Sequence, residues 1–167
     1  KNAAVEVDGA AYWMSDNGFF RYTGKLESMD CLVEDYVYDD LNTTSNQFIY
    51  CGINNLFGEI TWFYPTADSN VNTRSVTYSY LDSTAKRPIW FTNDSTLFTR
   101  TTWQDSAVFG LPHATQYDAG TDTSFDVTGN TDGISYYYEH ETGVNQIRLG
   151  VTTAIPANIT SGDYDIT

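Results

Sequence analysis

The chain has 167 residues, a length typical of one domain, and its 8 Lys and Arg against 22 Asp and Glu give a formal net charge of −14. A chain this acidic lacks the clustered basic residues that bind nucleic-acid phosphates, so we expect no sequence-specific DNA binding. The acids are 16 Asp and 6 Glu, and 23 residues are Thr. This excess of turn-forming and β-branched residues argues against an all-helical fold.

The hydrophobic fraction of 41% and the aromatic fraction of 16% are sufficient for a packed core, so general disorder is excluded. No window reaches the roughly 18 apolar residues of a transmembrane helix, and residues 1–16 lack the apolar segment of a signal peptide. The sequence predicts a soluble protein without a membrane-spanning segment. Cys31 and Cys51 lie in no CxxC or Cys/His array, and we expect two buried reduced thiols.

Two hairpins are predicted in the first part of the chain. In residues 10–23, aromatic runs flank Asp16-Asn17-Gly18, whose Asn-Gly pair is suited to the positive φ angles of a tight turn. Residues 47–54 and 59–65 form two further strand-like runs joined by a short segment containing Asn and Gly. We expect each pair of runs to form an antiparallel hairpin.

Shorter runs follow these hairpins. Residues 75–81 alternate apolar and polar side chains, which predicts a strand with one packed face and one wet face. Residues 88–92 and 98–103 are expected to complete a four-stranded meander. Beyond them, residues 113–119 and 134–141 read as two more strands on either side of a polar loop.

One segment has helical rather than strand periodicity. In residues 30–41 the apolar side chains recur at helical spacing, and Ser28 or Asp30 is available as an N-cap. We therefore expect one short helix near residues 30–41, of about two turns.

Aromatic clusters recur along the chain at an irregular interval of roughly 50 to 75 residues, which is compatible with propeller blades joined by variable loops. The predicted fold class is all-β, with antiparallel four-stranded meanders forming part of a β-propeller. At roughly 50 residues per blade, residues 1–167 supply about three incomplete blades. We expect this region to be a partial β-propeller from a longer chain.

No constellation of residues predicts catalysis, a cofactor or a metal. An Asp-rich stretch could offer oxygen ligands to calcium but lacks the EF-hand spacing. His140-Glu141 resembles the start of a HExxH motif, but Val144 occupies the position of the second His. His113 has no accompanying nucleophile motif. We predict no catalytic, cofactor-binding or metal-ligating residues. The Asp-rich stretch comprises Asp118, Asp122, Asp126, Asn130, Asp132 and Gly133.

An alternative function is a β-rich carbohydrate-binding or glycan-hydrolysing module. Exposed Trp and Tyr beside Asp and Asn are typical of a sugar-binding surface, and paired carboxylates are typical of glycosidases. All four tryptophans, however, lie in strand-like runs, and we expect them to pack between blades. They are Trp13, Trp62, Trp90 and Trp103.

The order of several blocks resembles a structural tail protein of short-tailed bacteriophages, the family of tail hub, nozzle or DNA-stabilisation proteins. The blocks are AYWMSDNGFFRYTG, CLVEDYVYDDLN, EITWFYPT, VTYSYL, RTTW and YYYEHETG, and the resemblance runs from Ala11 to about Asp165. The chain departs from this family in length, since its members are usually several times longer.

The resemblance implies a non-enzymatic virion component of the phage tail, assembled in the host bacterial cytoplasm. It implies a homo-oligomeric ring of six copies that contacts the portal, the adaptor and other tail proteins. Such a ring extends the DNA conduit below the portal and helps to retain and release the genome. Double-stranded DNA passes through it without sequence-specific binding, which is compatible with an acidic wall that does not grip phosphates.

Overall fold

The computed structural model describes residues 2–94, 99–105, 110–118, 134–141, 145–148 and 151–154. Within these residues the chain forms antiparallel sheets and two short helices, which confirms the predicted all-β fold. The described strands do not close into a barrel or a complete propeller. No helix in the described part of the chain is long and apolar enough to cross a membrane.

The first sheet contains four strands in chain order, each antiparallel to the next. Alternate residues of its second strand, Tyr12 and Met14, are buried in the main core, and Trp13 between them lies on the opposite face. The sheet therefore has one core face and one outer face. Its strands are β1 (Ala4–Val7), β2 (Ala10–Ser15), β3 (Gly18–Tyr22) and β4 (Leu26–Ser28).

The second sheet repeats this four-stranded antiparallel order. Both runs of the predicted second hairpin are strands of this sheet, which confirms that hairpin. The run at residues 88–92 supplies the fourth strand, whereas the prediction for residues 98–103 was wrong because that strand belongs to the next sheet. The strands are β5 (Tyr50–Asn54), β6 (Glu59–Tyr64), β7 (Arg74–Ser79) and β8 (Trp90–Asn93).

The third sheet contains β9 (Thr102–Gln104), β10 (His113–Asp118) and β11 (Ile134–Glu139). Their order is β11-β10-β9, so β9 lies at an edge among the described strands, and a separate two-stranded hairpin follows in the chain. The two strands predicted at residues 113–119 and 134–141 are confirmed, and β10 and β11 pair in antiparallel register. The strands of the separate hairpin are β12 (Asn145–Arg148) and β13 (Val151–Ala154).

The hairpin predicted at residues 10–23 is confirmed, but its turn differs from the prediction. Ser15 pairs with Gly18, so the two-residue turn consists of Asp16 and Asn17, and the positive φ of 146° falls on Gly18 instead of Asn17. The Tyr38 hydroxyl lies 2.9 Å from the carbonyl oxygens of both Ser15 and Gly18, so the residue after which the turn begins and the one at which it ends share a contact from α1.

The first hairpin, β1–β2, has the turn with two positive φ angles that the sequence analysis placed at Asn17-Gly18. Val7 pairs with Ala10, and the two residues between them, Asp8 and Gly9, have φ angles of 51° and 78°. Two consecutive positive φ angles define a type I′ turn, for which Asp-Gly is a favoured pair.

The predicted helix is present but shorter than expected. α1 (Glu34–Tyr38) begins after Val33, which makes no side-chain capping hydrogen bond, so neither Ser28 nor Asp30 is the N-cap. Ser28 is instead the last residue of β4. A 3-10 helix (Thr43–Phe48), which was not predicted, follows under a side-chain cap: the Asn42 carboxamide oxygen accepts from the backbone N–H groups of Thr44 and Ser45.

The core face of the first sheet packs against the second sheet. Phe19 of β3 lies 5.1 Å from Trp62 and 4.8 Å from Trp90, measured between ring centroids, and Trp62 is fully buried. The Trp62 indole N–H donates to the Ala3 carbonyl at 2.9 Å, and the Cys51 backbone N–H donates to the Asn2 carbonyl at 2.7 Å. The starts of the two sheets are therefore joined by ring packing and by hydrogen bonds.

The other face of β7 is also largely covered, so the prediction of one wet face for this strand was wrong. Val76 and Tyr78 are buried on the core side, as expected, but Ser75 and Ser79 on the opposite side are only 5% and 2% exposed. The prediction assumed that polar side chains mark a face exposed to solvent. Small hydroxyl side chains can nevertheless be buried when they are hydrogen-bonded. The Ser79 hydroxyl, for example, lies 3.1 Å from the Asp82 carboxylate.

Candidate functional site

The third sheet is attached to the second sheet through Trp103. Its indole N–H donates to the Ile53 carbonyl at 2.7 Å, and its ring lies 6.0 Å from that of Phe63. The ring lies directly over Gly52, where a Cβ atom would be 2.7 Å from Trp103 Cδ1. Only glycine permits this close approach, so Gly52 allows the two sheets to pack against each other.

A cleft of about 400 Å³ opens beside this contact, between the outer face of the second sheet and the third sheet. Side chains of β6, β7 and β8 form one wall, and residues around β9 and the end of β11 form the other. The Thr61 and Thr77 hydroxyls, 2.8 Å apart, lie on neighbouring strands of the first wall. Phe91, paired with Thr77 across β7 and β8, is 52% exposed at the side of the cleft.

A cluster of nitrogen-bearing side chains lies at the third-sheet wall. Arg100 is 4% exposed, and its Nε–H donates to His140 Nε2 at 3.1 Å. Its guanidinium lies 4.0 Å from the centroid of the Tyr138 ring, and its Nη1 donates to the Thr99 carbonyl at 2.6 Å. The His140 ring packs 4.6 Å from Trp103, so the cluster continues the aromatic contact between the sheets.

Burial sets the charge states of this cluster. Burial is the main cause that lowers the pKa of His140 to about 4, and the neighbouring Arg100 guanidinium contributes to the same shift. His140 is therefore neutral at pH 7, as a ring nitrogen that accepts from Arg100 requires. Burial also lowers the pKa of Arg100 to about 10, which leaves the guanidinium charged at pH 7.

Two carboxylates lie at the cleft. Burial raises the pKa of Glu59, and the negative charges of Glu141 and Asp82 raise it further. Glu141 accepts a hydrogen bond from the Asn54 carboxamide at 3.0 Å. Glu141 also has a φ of 62°, a left-handed conformation that is uncommon for a residue other than glycine. The cleft thus combines carboxylates, hydroxyls and one exposed aromatic ring, a set of groups suited to binding neutral hydroxyl-rich molecules.

A second groove, of about 350 Å³, lies near the start of β7. Its cation, Arg74, is 2.6 Å from the Asp40 carboxylate, and its guanidinium lies 5.0 Å from the centroid of the Tyr36 ring. The guanidinium of Arg74 is therefore engaged by neighbouring side chains. We regard it as a structural surface feature.

The structure places the residues that the sequence analysis weighed at separate locations. His140 and Glu141 both lie at the cleft, but no group of three or more His, Cys, Asp or Glu side chains suited to a metal occurs in the described part of the chain. His113 begins β10, and its Nδ1 contacts the Tyr137 hydroxyl. Asp118 ends β10, and the other members of the Asp-rich stretch lie outside the described residues.

The prediction of buried reduced thiols is confirmed. Cys31 and Cys51 are both buried and free, and they do not form a disulfide. Burial raises the pKa of the Cys31 thiol to about 12 and also raises the pKa of Cys51, so both thiols are protonated at pH 7. Neither is an activated nucleophile.

Packing between sheets is confirmed for three of the four tryptophans. Trp62 and Trp90 lie between the first and second sheets, and Trp103 lies between the second and third. Trp13 is the exception, since it lies on the outer face of the first sheet and stacks on Phe20 with centroids 5.8 Å apart.

Residues of the cleft come from distant parts of the chain, and the sequence analysis did not predict their association. Asn54 and Glu141, for instance, are hydrogen-bonded across 87 positions. No motif marks such a pair. No family model matches the chain, and no curated protein sequence matches it.

Proposed function

We propose that this chain is a structural, non-enzymatic part of a bacteriophage tail, with its sheets acting as blades of a β-propeller in a tail hub or nozzle. The observation that carries the proposal is the stacking of successive meanders. The first strands of the three sheets begin at Ala4, Tyr50 and Thr102, spacings of 46 and 52 residues. Repeats of about this length are typical of propeller blades.

The order of contacts between sheets supports the same proposal. A parallel bridge between Asn2 and Tyr50 joins the start of the first sheet to the first strand of the second sheet. The first strand of the second sheet in turn contacts the first strand of the third, where Trp103 packs on Gly52. First strands that lie side by side are expected of blades arranged around an axis.

The surface charge supports a role as a conduit wall. The chain has 22 acidic against 8 basic residues, and two of the basic residues, Arg21 and Arg74, are ion-paired with Glu27 and Asp40. A wall with so few available cations binds DNA phosphates weakly, which favours passage of the duplex. We propose a virion location for the protein, in a six-copy ring that contacts the portal and adaptor and encloses double-stranded DNA.

Negative-stain microscopy of the protein, alone and mixed with phage portal–adaptor assemblies, tests this proposal. We expect axial rings that dock coaxially on the portal–adaptor assembly. A monodisperse monomer that never docks would contradict the proposed tail function.

The cleft favours a second candidate function, a carbohydrate-binding or glycan-hydrolysing module. Phe91 offers an exposed ring on which a sugar can stack, and the hydroxyls of Thr61 and Thr77 lie beside it. Glu59 and Glu141 supply carboxylates, and the raised pKa of Glu59 is the direction required of a general acid.

A glycan-array screen of the isolated chain tests this second candidate. Binding to neutral glycans that is lost in Phe91→Ala and retained in Leu81→Ala would support it, because Leu81 is 66% exposed and does not line the cleft. Absence of binding to any glycan would contradict it. Hydrolysis of a bound glycan that is abolished in Glu59→Gln would extend the function from binding to catalysis.

A further inference from the structure

Two of the three sheets are joined to the preceding sheet by the same type of hydrogen bond. Trp62 of the second sheet donates its indole N–H to the Ala3 carbonyl, just before β1, at 2.9 Å. Trp103 of the third sheet donates its indole N–H to the Ile53 carbonyl, in β5, at 2.7 Å. In both cases a tryptophan binds a carbonyl at the first strand of the sheet before it.

Trp13 is the counterpart of Trp62 in the first sheet. It is the fourth residue of β2, as Trp62 is the fourth residue of β6. Trp13 lies on the face turned away from the second sheet, and in the described part of the chain its indole N–H has no acceptor. Among the described residues, the first sheet therefore presents the donor of this contact with no sheet packed against it.

The surface around Trp13 is apolar. Phe20 stacks on the Trp13 ring, and Tyr22 and Leu26, on the next two strands of the same face, are 49% and 59% exposed. We call these four residues the outer patch. Large exposed apolar side chains gathered on one sheet face are typical of an interaction surface.

The face of the third sheet that is turned away from the second sheet, here called its free face, also carries exposed aromatic side chains, like the outer patch. Tyr117 and Tyr137 are 43% and 67% exposed. They lie on one face of the sheet, and the other face carries Tyr138, which packs on Arg100, and the buried Ala114. β9 pairs with β10 alone among the described strands, so it presents an edge with backbone carbonyls, as β5 does toward the third sheet.

We propose that the outer patch docks the free face of the third sheet of a second copy of this chain, with Trp13 donating to a backbone carbonyl of β9. This proposal rests on the blade arrangement of the proposed function, but it does not depend on a role in a phage tail. Two copies in this head-to-tail contact bring together six of the described three- and four-stranded sheets, a number within the range of closed propellers. A head-to-tail contact that fails to close forms filaments instead.

Sedimentation velocity of the 167-residue chain, from about 1 to about 100 µM, tests the proposal. We expect a concentration-dependent dimer. Trp13→Ala is expected to weaken association by at least about 10-fold, and Trp13→Phe, which keeps an aromatic ring but removes the N–H, by less. Tyr137→Ala on the other surface is expected to weaken it as well. Leu32→Ala, at a residue 76% exposed outside both surfaces, is the matched control and is expected to have no effect.

Indole proton exchange measured by NMR provides a second readout that does not depend on the variants. The Trp13 indole N–H is expected to exchange rapidly in dilute protein and to become protected as the dimer forms. A chain that remains monomeric over the whole concentration range would overturn the proposal, as would a dimer unaffected by Trp13→Ala and Tyr137→Ala. A dimer that never docks on portal–adaptor assemblies would leave this inference standing and remove the tail function.

Discussion

Gly52 and Trp103 show how one residue without a side chain determines the packing of two sheets. The indole ring occupies the space in which any other residue would place its Cβ atom. The sequence offered no reason to single out Gly52, because a glycine inside a strand has several explanations and its partner lies 51 positions away.

We expect Gly52→Ala to lower the free energy of unfolding by about 1–3 kcal/mol, because the added methyl group forces the indole ring away from the strand. Urea denaturation followed by tryptophan fluorescence measures this change. In a double-mutant cycle, Trp103→Leu should relieve part of the cost, since the smaller side chain leaves room for the methyl group. Strictly additive effects would contradict the proposed close contact.

His140 makes stability depend on pH. Its pKa is about 4 in the folded protein, below the ordinary value of 6.5, so between these values the unfolded chain binds more protons than the folded one. The free energy of unfolding should therefore fall as the pH is lowered from about 6.5 to about 4, by on the order of 2 kcal/mol from this residue.

The control for this prediction is His140→Gln, which keeps an acceptor for Arg100 but does not titrate. The difference in unfolding free energy between the two proteins should shrink as the pH falls through this range. Glu59 titrates in both proteins, so its contribution cancels in the difference. A difference that is constant from pH 7 to pH 4 would show that His140 is not buried in its neutral form.

At the scale of elements, alternation of apolar and polar residues predicted most strands, but not what covers them. The strands that contain Trp62 and Tyr136 were predicted correctly because each is a run rich in aromatic residues and bounded by turn residues. The wet face expected for β7 was wrong because burial of Ser75 and Ser79 depends on neighbouring structure and on local hydrogen bonds, which alternation does not encode. The helix was overestimated as well, since β4 takes Ser28, one of the two residues expected to cap it, and the helix begins only after Val33.

The turns give a prediction at this scale. Gly9→Ala should lower the unfolding free energy by about 1–2 kcal/mol, because its φ of 78° is costly for a residue with a Cβ atom and no packing compensates. Asn17→Ala should change it by less than about 0.5 kcal/mol, since Asn17 does not adopt a positive φ. Thermal unfolding of both variants by circular dichroism measures the two effects. A larger effect at Asn17 than at Gly9 would show that the type I′ turn is in the second hairpin.

At the scale of the whole molecule, the sequence indicated repeated meanders but not their mutual packing. The order of the sheets and the cleft between them depend on contacts such as Trp62 with Ala3 and Asn54 with Glu141, which join residues 59 and 87 positions apart. A single sequence contains no spacing rule for such pairs. The candidate site was therefore predicted only in part, through His140 and Glu141, and these had been considered for a different chemistry.

The central claim is that the three sheets stack with each indole N–H of Trp62 and Trp103 bound to the preceding sheet. Hydrogen exchange of the indole protons, measured by NMR, tests it most directly. We predict that both protons exchange at least about 100-fold more slowly than a free indole, with Trp62 the slower because it is fully buried. Exchange of both protons at the rate of a free indole would contradict the stacked arrangement.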